Sequence, residues 1–328
     1  MLRLNRWAQT TCPPYRRVGT LFVPTILLYL SLLPLAGAEQ AAEPSHLAIH
    51  SLLLDGAQYH DRMVAVGERG HILYSDDRGH NWQQASVPTR VMLTGVFMID
   101  EHSVWAVGHD ATILKSRDGG KSWLLNYRAP EEETPLLDIW FKDQNNGFAV
   151  GAYGLFLETD DGGENWQQRW ISEVDDFHLN QITAAADGTL YIAAESGVVY
   201  RSDDGGERWI SLTTPYHGSF FGSLPLTENR LFVFGLRGHL FSTEDKGDSW
   251  NSIAAGTTAM LTSALKTDDN RCIFAGLSGV LLIDQGCNGK ALQLIQRPDR
   301  NGISALLTSD NDELVLIGEA GITRFKPR

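Results

Sequence analysis

From about residue 46 onward the chain is a succession of short apolar runs broken by glycine, asparagine, aspartate and serine. No stretch sustains a 3.6-residue apolar period over the length of an ordinary helix, so the runs predict strands joined by tight turns. One type of run ends on a small residue, as in Met63-Val64-Ala65-Val66-Gly67 and Gly147-Phe148-Ala149-Val150-Gly151, with a further glycine at Gly70 and Gly154. The equivalent turn positions Gly70, Ala111, Gly154, Gly197, Gly238, Gly279 and Gly321 follow one another at intervals of 41 to 43 residues. A period of about 42 residues holds four short strands and their turns, the size of one propeller blade. Seven periods fill the chain from residue 46 to 328. The pattern therefore predicts an all-β, seven-bladed β-propeller over residues 39–328, each blade built of strands a to d in chain order.

A second element, Ser/Thr-x-Asp-x-Gly-x-x-Trp, recurs five times, with its aspartate and tryptophan at Asp77 and Trp82, Asp118 and Trp123, Asp161 and Trp166, Asp204 and Trp209, and Asp245 and Trp250. Its position places aspartate and glycine in the hairpin between strands c and d. There a carboxylate can accept backbone N–H groups two to four residues on, and glycine supplies the positive φ of a tight turn. The tryptophan is expected to fold into the gap between neighbouring sheets. Asp160-Asp161-Gly162-Gly163 invites a calcium or catalytic reading, but one motif used alike in five blades makes no single active centre. The aspartates are therefore read as structural, with no metal and no cofactor. The seventh unit stops just after strand c, Ile322-Thr323-Arg324-Phe325. Closure of the ring by residues 40–48, acting as its missing strand d, is the expectation that leaves no sheet edge open.

The first 38 residues have a different pattern. Arg3, Arg6, Arg16 and Arg17 precede an apolar run from Leu21 to Leu35 and then Ala36-Gly37-Ala38. That order reads as a secretory signal peptide cleaved near Ala38-Glu39, because the run is shorter than the roughly 20 residues of a membrane-spanning helix. The mature protein is then exported to the periplasm or another extracytoplasmic space, with no membrane span. The whole chain has 27 basic and 40 acidic residues and a formal charge of -13. Loss of the four leader arginines makes the remainder more acidic still, which excludes nucleic acid as a partner.

The five motifs resemble the Asp-box, or BNR, repeat of sialidases, sortilin-like receptors and the photosystem II assembly factors of the Ycf48/Hcf136 group. The composite Ala-Val-Gly-x-x-Gly-x-Ile/Leu-x-x-Ser-x-Asp-x-Gly-x-x-Trp, set in a secreted single domain, is most similar to the last group. That resemblance implies a non-catalytic assembly or stability factor, or an interaction scaffold, for a membrane or envelope complex, acting as a monomer on a protein partner. The alternative is an extracytoplasmic glycosidase of the sialidase type. Such an enzyme needs an arginine cluster with a tyrosine-glutamate pair on the ring axis, or two facing carboxylates, and no motif here nominates them.

The b–c turn tips differ from one another although the strands around them are alike. Arg69, His109, Tyr153, Glu195, Arg237 and Glu319 are accordingly the candidate partner-binding residues, on the face opposite the c–d hairpins. The aromatic segment Pro215–Phe221 reads either as an anchor for a partner or as packing beneath its blade. Once the leader is removed, only Cys272 and Cys287 remain of three cysteines. Both fall in the sixth unit, where the motif is reduced to Asp284-Gln285-Gly286 with Gly289 in the tryptophan position. An antiparallel b–c hairpin brings them close enough for a disulfide, with two free thiols as the other reading.

Overall fold

The computed structural model describes residues 40–327. The expected signal peptide and its cleavage point lie outside these residues. Among the described residues seven antiparallel sheets follow one another, six of four strands ordered a-b-c-d and the last of three ordered a-b-c. Strands a run through Leu53–Tyr59, Leu93–Met98, Leu136–Phe141, Leu179–Ala184, Phe220–Pro225, Leu261–Lys266 and Ile303–Thr308. Each strand a packs beside the next, and the last packs beside the first. The chain therefore forms a closed seven-bladed propeller with strands a as its inner wall.

Strands b explain why the sequence lacks clean two-residue alternation. From Val104–Gly108 in the second blade to Leu314–Gly318 in the seventh, every residue of strand b is buried. Each of these strands is covered by a neighbouring sheet on both faces, so both faces are apolar. Outer strands such as Gln167–Arg169 are solvated. The tryptophans fill the wedges between blades: Trp82 packs with Met63 and Val315, Trp166 meets Phe141 edge-on at 6.0 Å, and Trp209 meets Phe156 at 5.8 Å. Fully buried Trp123 donates its indole N–H to the Gly120 carbonyl at 3.0 Å, as Trp82 and Trp209 do to Gly79 and Gly206.

Ring closure differs from the expectation. Residues 40–45 run along the first blade, not the seventh: Ala42 N–H donates to the Val87 carbonyl at 3.0 Å, and Ser45 N–H to Gln84 Oε1 at 2.7 Å. The 3-10 turn Ala48–His50 then crosses the end of the last strand and serves as the d–a connection leading into the first blade. A Cβ on Gly321 would lie 2.0 Å from the Ile49 carbonyl oxygen, so only glycine allows this crossing. Among the described residues the seventh blade has three strands, and its seam with the first is made by side chains. Gln58 Nε2 donates to the Thr308 carbonyl at 2.9 Å and Ser309 Oγ to the Arg78 carbonyl at 2.8 Å, while Arg78 pairs with Asp310 at 3.2 Å.

The sixth blade corrects the motif alignment. Asp284 pairs with Cys272 across the b–c ladder, the place where Ser75, Ser116, Thr159, Ser202 and Thr243 stand in the first five blades. It replaces the hydroxyl residue, not the motif aspartate. Fully buried, its carboxylate accepts the N–H groups of Gly286 and Gly289. Cys272 and Cys287 are disulfide-bonded, with Cα atoms 4.9 Å apart, and lie in the cluster with Phe232 and Phe274.

Candidate interaction face

The Asp-box hairpins define one face of the ring. In the first, Ser75 Oγ accepts Gly79 N–H at 2.9 Å and donates to Asp77 Oδ1 at 2.8 Å; the carboxylate then accepts both the backbone and side-chain N–H groups of Asn81. The fifth repeats this with Thr243, Asp245, Gly247 and Ser249. Hydrogen bonds to the charged form, from the Asn81 side chain above all, hold the Asp77 carboxyl down to about 2, and those led by the Ser249 hydroxyl do the same for Asp245. These oxygens are committed to the turn. Among the described residues, no group of three or more His, Cys, Asp or Glu side chains could hold a metal ion. On this face a charged hollow of about 500 Å³ lies between the first two hairpins. Its charges neutralise one another, with Asp76 paired to Arg62 at 2.5 Å and to Lys121 at 3.9 Å.

The inner wall carries two carboxylates. Every a–b pair shifts register within two residues of the start of strand a. This bulge turns the third residue toward the next blade. There Asp55 Oδ2 accepts Val96 N–H at 2.8 Å, Asp138 Oδ2 accepts Ile182 N–H at 2.9 Å and Gln181 Oε1 accepts Ser223 N–H at 2.8 Å. Burial raises the Asp55 carboxyl to about 7 and lifts Asp138 further above its usual range, with the charge of Asp55 adding to the effect. A raised carboxyl pair is what a glycosidase would use. An uncharged glutamine does the same job in the fourth blade, however, so the role is accepting a hydrogen bond between blades. None of the seven strands a contains an arginine or a glutamate.

The opposite face is made by the b–c turns and d–a connections. In six turns the tip residue is left-handed: Arg69, Asp110, Tyr153, Ser196, Arg237 and Ser278 have φ between 54° and 58°. The residue after the tip is also left-handed, giving the αL-αL pair of a hairpin turn. A Cβ on Gly197 would lie 1.8 Å from the Tyr216 carbonyl of its d–a connection, which ties turn and connection together.

The sequence-nominated residues share this face but not one role. Arg69, His109, Tyr153, Arg237 and Glu319 are exposed. Half-buried Glu195 accepts His178 N–H at 3.0 Å, and Glu319 accepts Gly302 N–H at 2.8 Å. Glu68, at the same turn position, accepts Leu52 N–H at 3.2 Å. These carboxylates fasten the start of strand a in their own blades, a job invisible in a comparison of turn tips. The aromatic segment packs within the fold: Tyr216 stacks 4.1 Å from His239 and Phe220 is fully buried.

One cluster was not nominated from the sequence. The connection after strand d of the third blade exposes Trp170 (65%) and Val174 (89%), with Tyr153 (61%) on the adjoining b–c turn. Tyr153 packs edge-on against His178 at 4.8 Å, and the N–H of Gly154 donates to the Phe177 carbonyl at 3.0 Å. The signal available was a tryptophan outside the repeat in an acidic segment, Trp170-Ile171-Ser172-Glu173-Val174-Asp175-Asp176.

Fold and faces together define an Asp-box propeller of seven blades with one variable face on a repeated frame. The family model described as photosynthesis system II assembly factor YCF48 matches residues 126–280. The photosystem II assembly protein Ycf48 of Thermosynechococcus vestitus is 38% identical over 42 residues, a match that spans 13% of this chain and 12% of that relative. Among solved structures, YCF48 bound to D1 peptide superposes with a TM-score of 0.68 at 18% identity, over 85% of this chain and 94% of that one. YCF48 from Cyanidioschyzon merolae gives 0.67 at 16% identity, over 85% and 96%. A xyloglucanase from Xanthomonas campestris gives 0.66 at 11% identity, over 84% of this chain and 52% of that one, and shares the fold alone. Over residues 126–280 the chain is thus similar to the YCF48 family model, and its fold is that of the solved YCF48 structures.

Proposed function

We propose that the protein is an exported, non-catalytic assembly factor that holds a polypeptide segment of a membrane or envelope complex on its b–c and d–a face. The observation that carries this reading is the contrast on that face between a left-handed turn backbone shared by six blades and unlike exposed tips, Arg69, His109, Tyr153 and Arg237. In a repeat protein a frame held constant under varied side chains suits a single asymmetric partner. The Ycf48 likeness supports the assembly role, as does a structure of a relative bound to D1 peptide. The Cys272–Cys287 disulfide suits the oxidising space to which a signal peptide ending near Ala38 would deliver the chain. Among the described residues no helix is long and apolar enough to cross a membrane, so contact with the complex would run through protein. Half-buried Glu195 shapes the face, while the exposed tips, Glu319 among them, make the contact.

Co-purification of the tagged mature protein from solubilised membranes, with cross-linking from position 69 or 237, tests this reading. Recovery of one membrane-complex subunit, lost with Arg69→Ala and Arg237→Ala together, is the expected result. Recovery of no such subunit, or cross-links from the Asp-box face only, overturns it.

A further inference from the structure

We infer that the connection from Trp170 to His178, with Tyr153, is a docking patch for a cationic polypeptide segment carrying an apolar anchor. This inference rests on the binding-face reading above and specifies the partner's chemistry. Single exposed apolar side chains are ordinary, but contiguous ones ringed by polar groups mark interfaces. Here Trp170 and Val174 line an open hollow of about 810 Å³ together with Glu173, Asp175 and Asp176. A rigid aromatic at the centre of such a patch is the commonest kind of binding hot spot.

The charge around it has one sign. Glu173, Asp175 and Asp176 stand within four residues of one another. The cation at the start of the connection, Arg169, is already used: its guanidinium pairs with Glu158 at 2.5 Å and donates to the Glu207 carbonyl at 2.8 Å. His178 at the far end faces Glu195, 3.5 Å away. An acidic rim around an apolar centre is complementary to lysine or arginine flanking a large apolar residue, and it disfavours an acidic segment through like-charge repulsion.

The connection is also set in shape before a partner arrives. Ser172 Oγ accepts the N–H groups of Val174 and Asp175 and donates to Asp175 Oδ2 at 3.2 Å. That turn carries Val174 at its outer bend, and the Gly154 to Phe177 bond anchors its far end to the third blade. Ordering the loop therefore adds little to the cost of association.

The test uses the mature protein and a short blocked peptide in which a Leu-Phe pair is flanked by lysines, compared by calorimetric titration with the same peptide carrying glutamates. The lysine peptide is expected to bind, more weakly as salt rises, and the glutamate peptide not to bind. Trp170→Ala should weaken binding about tenfold or more, and Glu173→Gln, Asp175→Asn and Asp176→Asn together should weaken it and flatten its salt dependence. Trp170, Glu173 and Asp176 are exposed and Asp175→Asn keeps an acceptor for the Ser172 hydroxyl, so unchanged thermal unfolding serves as the folding control. Equal binding of both peptides, no binding of the lysine peptide, or binding indifferent to both variants overturns the inference. The Arg69→Ala, Arg237→Ala protein separates the two readings. Loss of membrane-complex recovery in that variant, with Trp170→Ala recovering it normally, rejects this patch and leaves the face reading standing.

Discussion

Asp55 and Val96 join the first two blades: the carboxylate of one strand a accepts the backbone N–H of the next at 2.8 Å. The bond is made where burial holds the carboxyl up to about 7, far above the ordinary carboxylate range. A carboxyl raised in the folded state stays protonated where the unfolded chain has already ionised. Stability attributable to Asp55 should therefore fall as pH rises from about 4 to about 7 and stay lower above that. Asp55→Asn keeps an acceptor for Val96 and removes the charge. It is expected to match the parent near pH 4 and to melt higher at pH 8, by about 2–4 °C for each kcal/mol of penalty removed. Scanning calorimetry at the two pH values measures it; a lower melting temperature at pH 8 would contradict the assignment.

The Asp-box aspartates carry the opposite sign. Asp77 and Asp245 are held down to about 2, so their contribution is present above the unfolded carboxylate range and is lost as pH falls through the folded value. Asp77→Asn and Asp245→Asn should each lower the urea midpoint at pH 7, with the difference from the parent shrinking below about pH 4. Because these oxygens are occupied by hydroxyl and amide donors, calcium and chelators should leave the midpoint where it is.

Trp123 and Trp170 make a matched pair for mutation. Trp123 is fully buried and fills a wedge between blades, whereas Trp170 is two-thirds exposed. Trp123→Ala should cost about 3–5 kcal/mol through lost burial and the cavity left behind. Trp170→Ala should change stability by no more than about 0.5 kcal/mol, the range of surface substitutions. Denaturant titration of both proteins distinguishes a wedge from a contact residue.

The Cys272–Cys287 bond closes a separation of 15 residues in the one complete blade without a motif tryptophan. Serine at both positions should destabilise the protein by about 3 kcal/mol. A reductant should reproduce that loss in the parent and leave the double serine variant unchanged, as read by melting temperature.

The repeat was legible because a blade is a local object: the period, the hairpin glycines and the wedge tryptophans all recur within one 42-residue unit. What lay between units was not. The bulge that turns Asp55, Asp138 and Gln181 onto the next blade leaves no mark in hydropathy, and residues of unlike charge perform the same task. Turn comparison shows Glu195 and Glu319 only as variable tips, not the strand ends that both also hold. Asp284 was aligned as the motif aspartate by spelling; only the ladder opposite Cys272 shows it standing in for a hydroxyl. Trp170 belongs to no repeat, so the period carries no signal for it.

A propeller whose first and last blades share a sheet is locked like a clasped bracelet. Among the described residues this ring is closed differently, since its first and last blades share no sheet. Among the described residues, 40–45 lie along the first blade and the sheet of the seventh has three strands. Tension applied to the two ends would part the seam without first stripping a strand from any shared sheet. Side-chain packing and hydrogen bonds across that seam, not a shared ladder, are then what resists separation of the first and last blades.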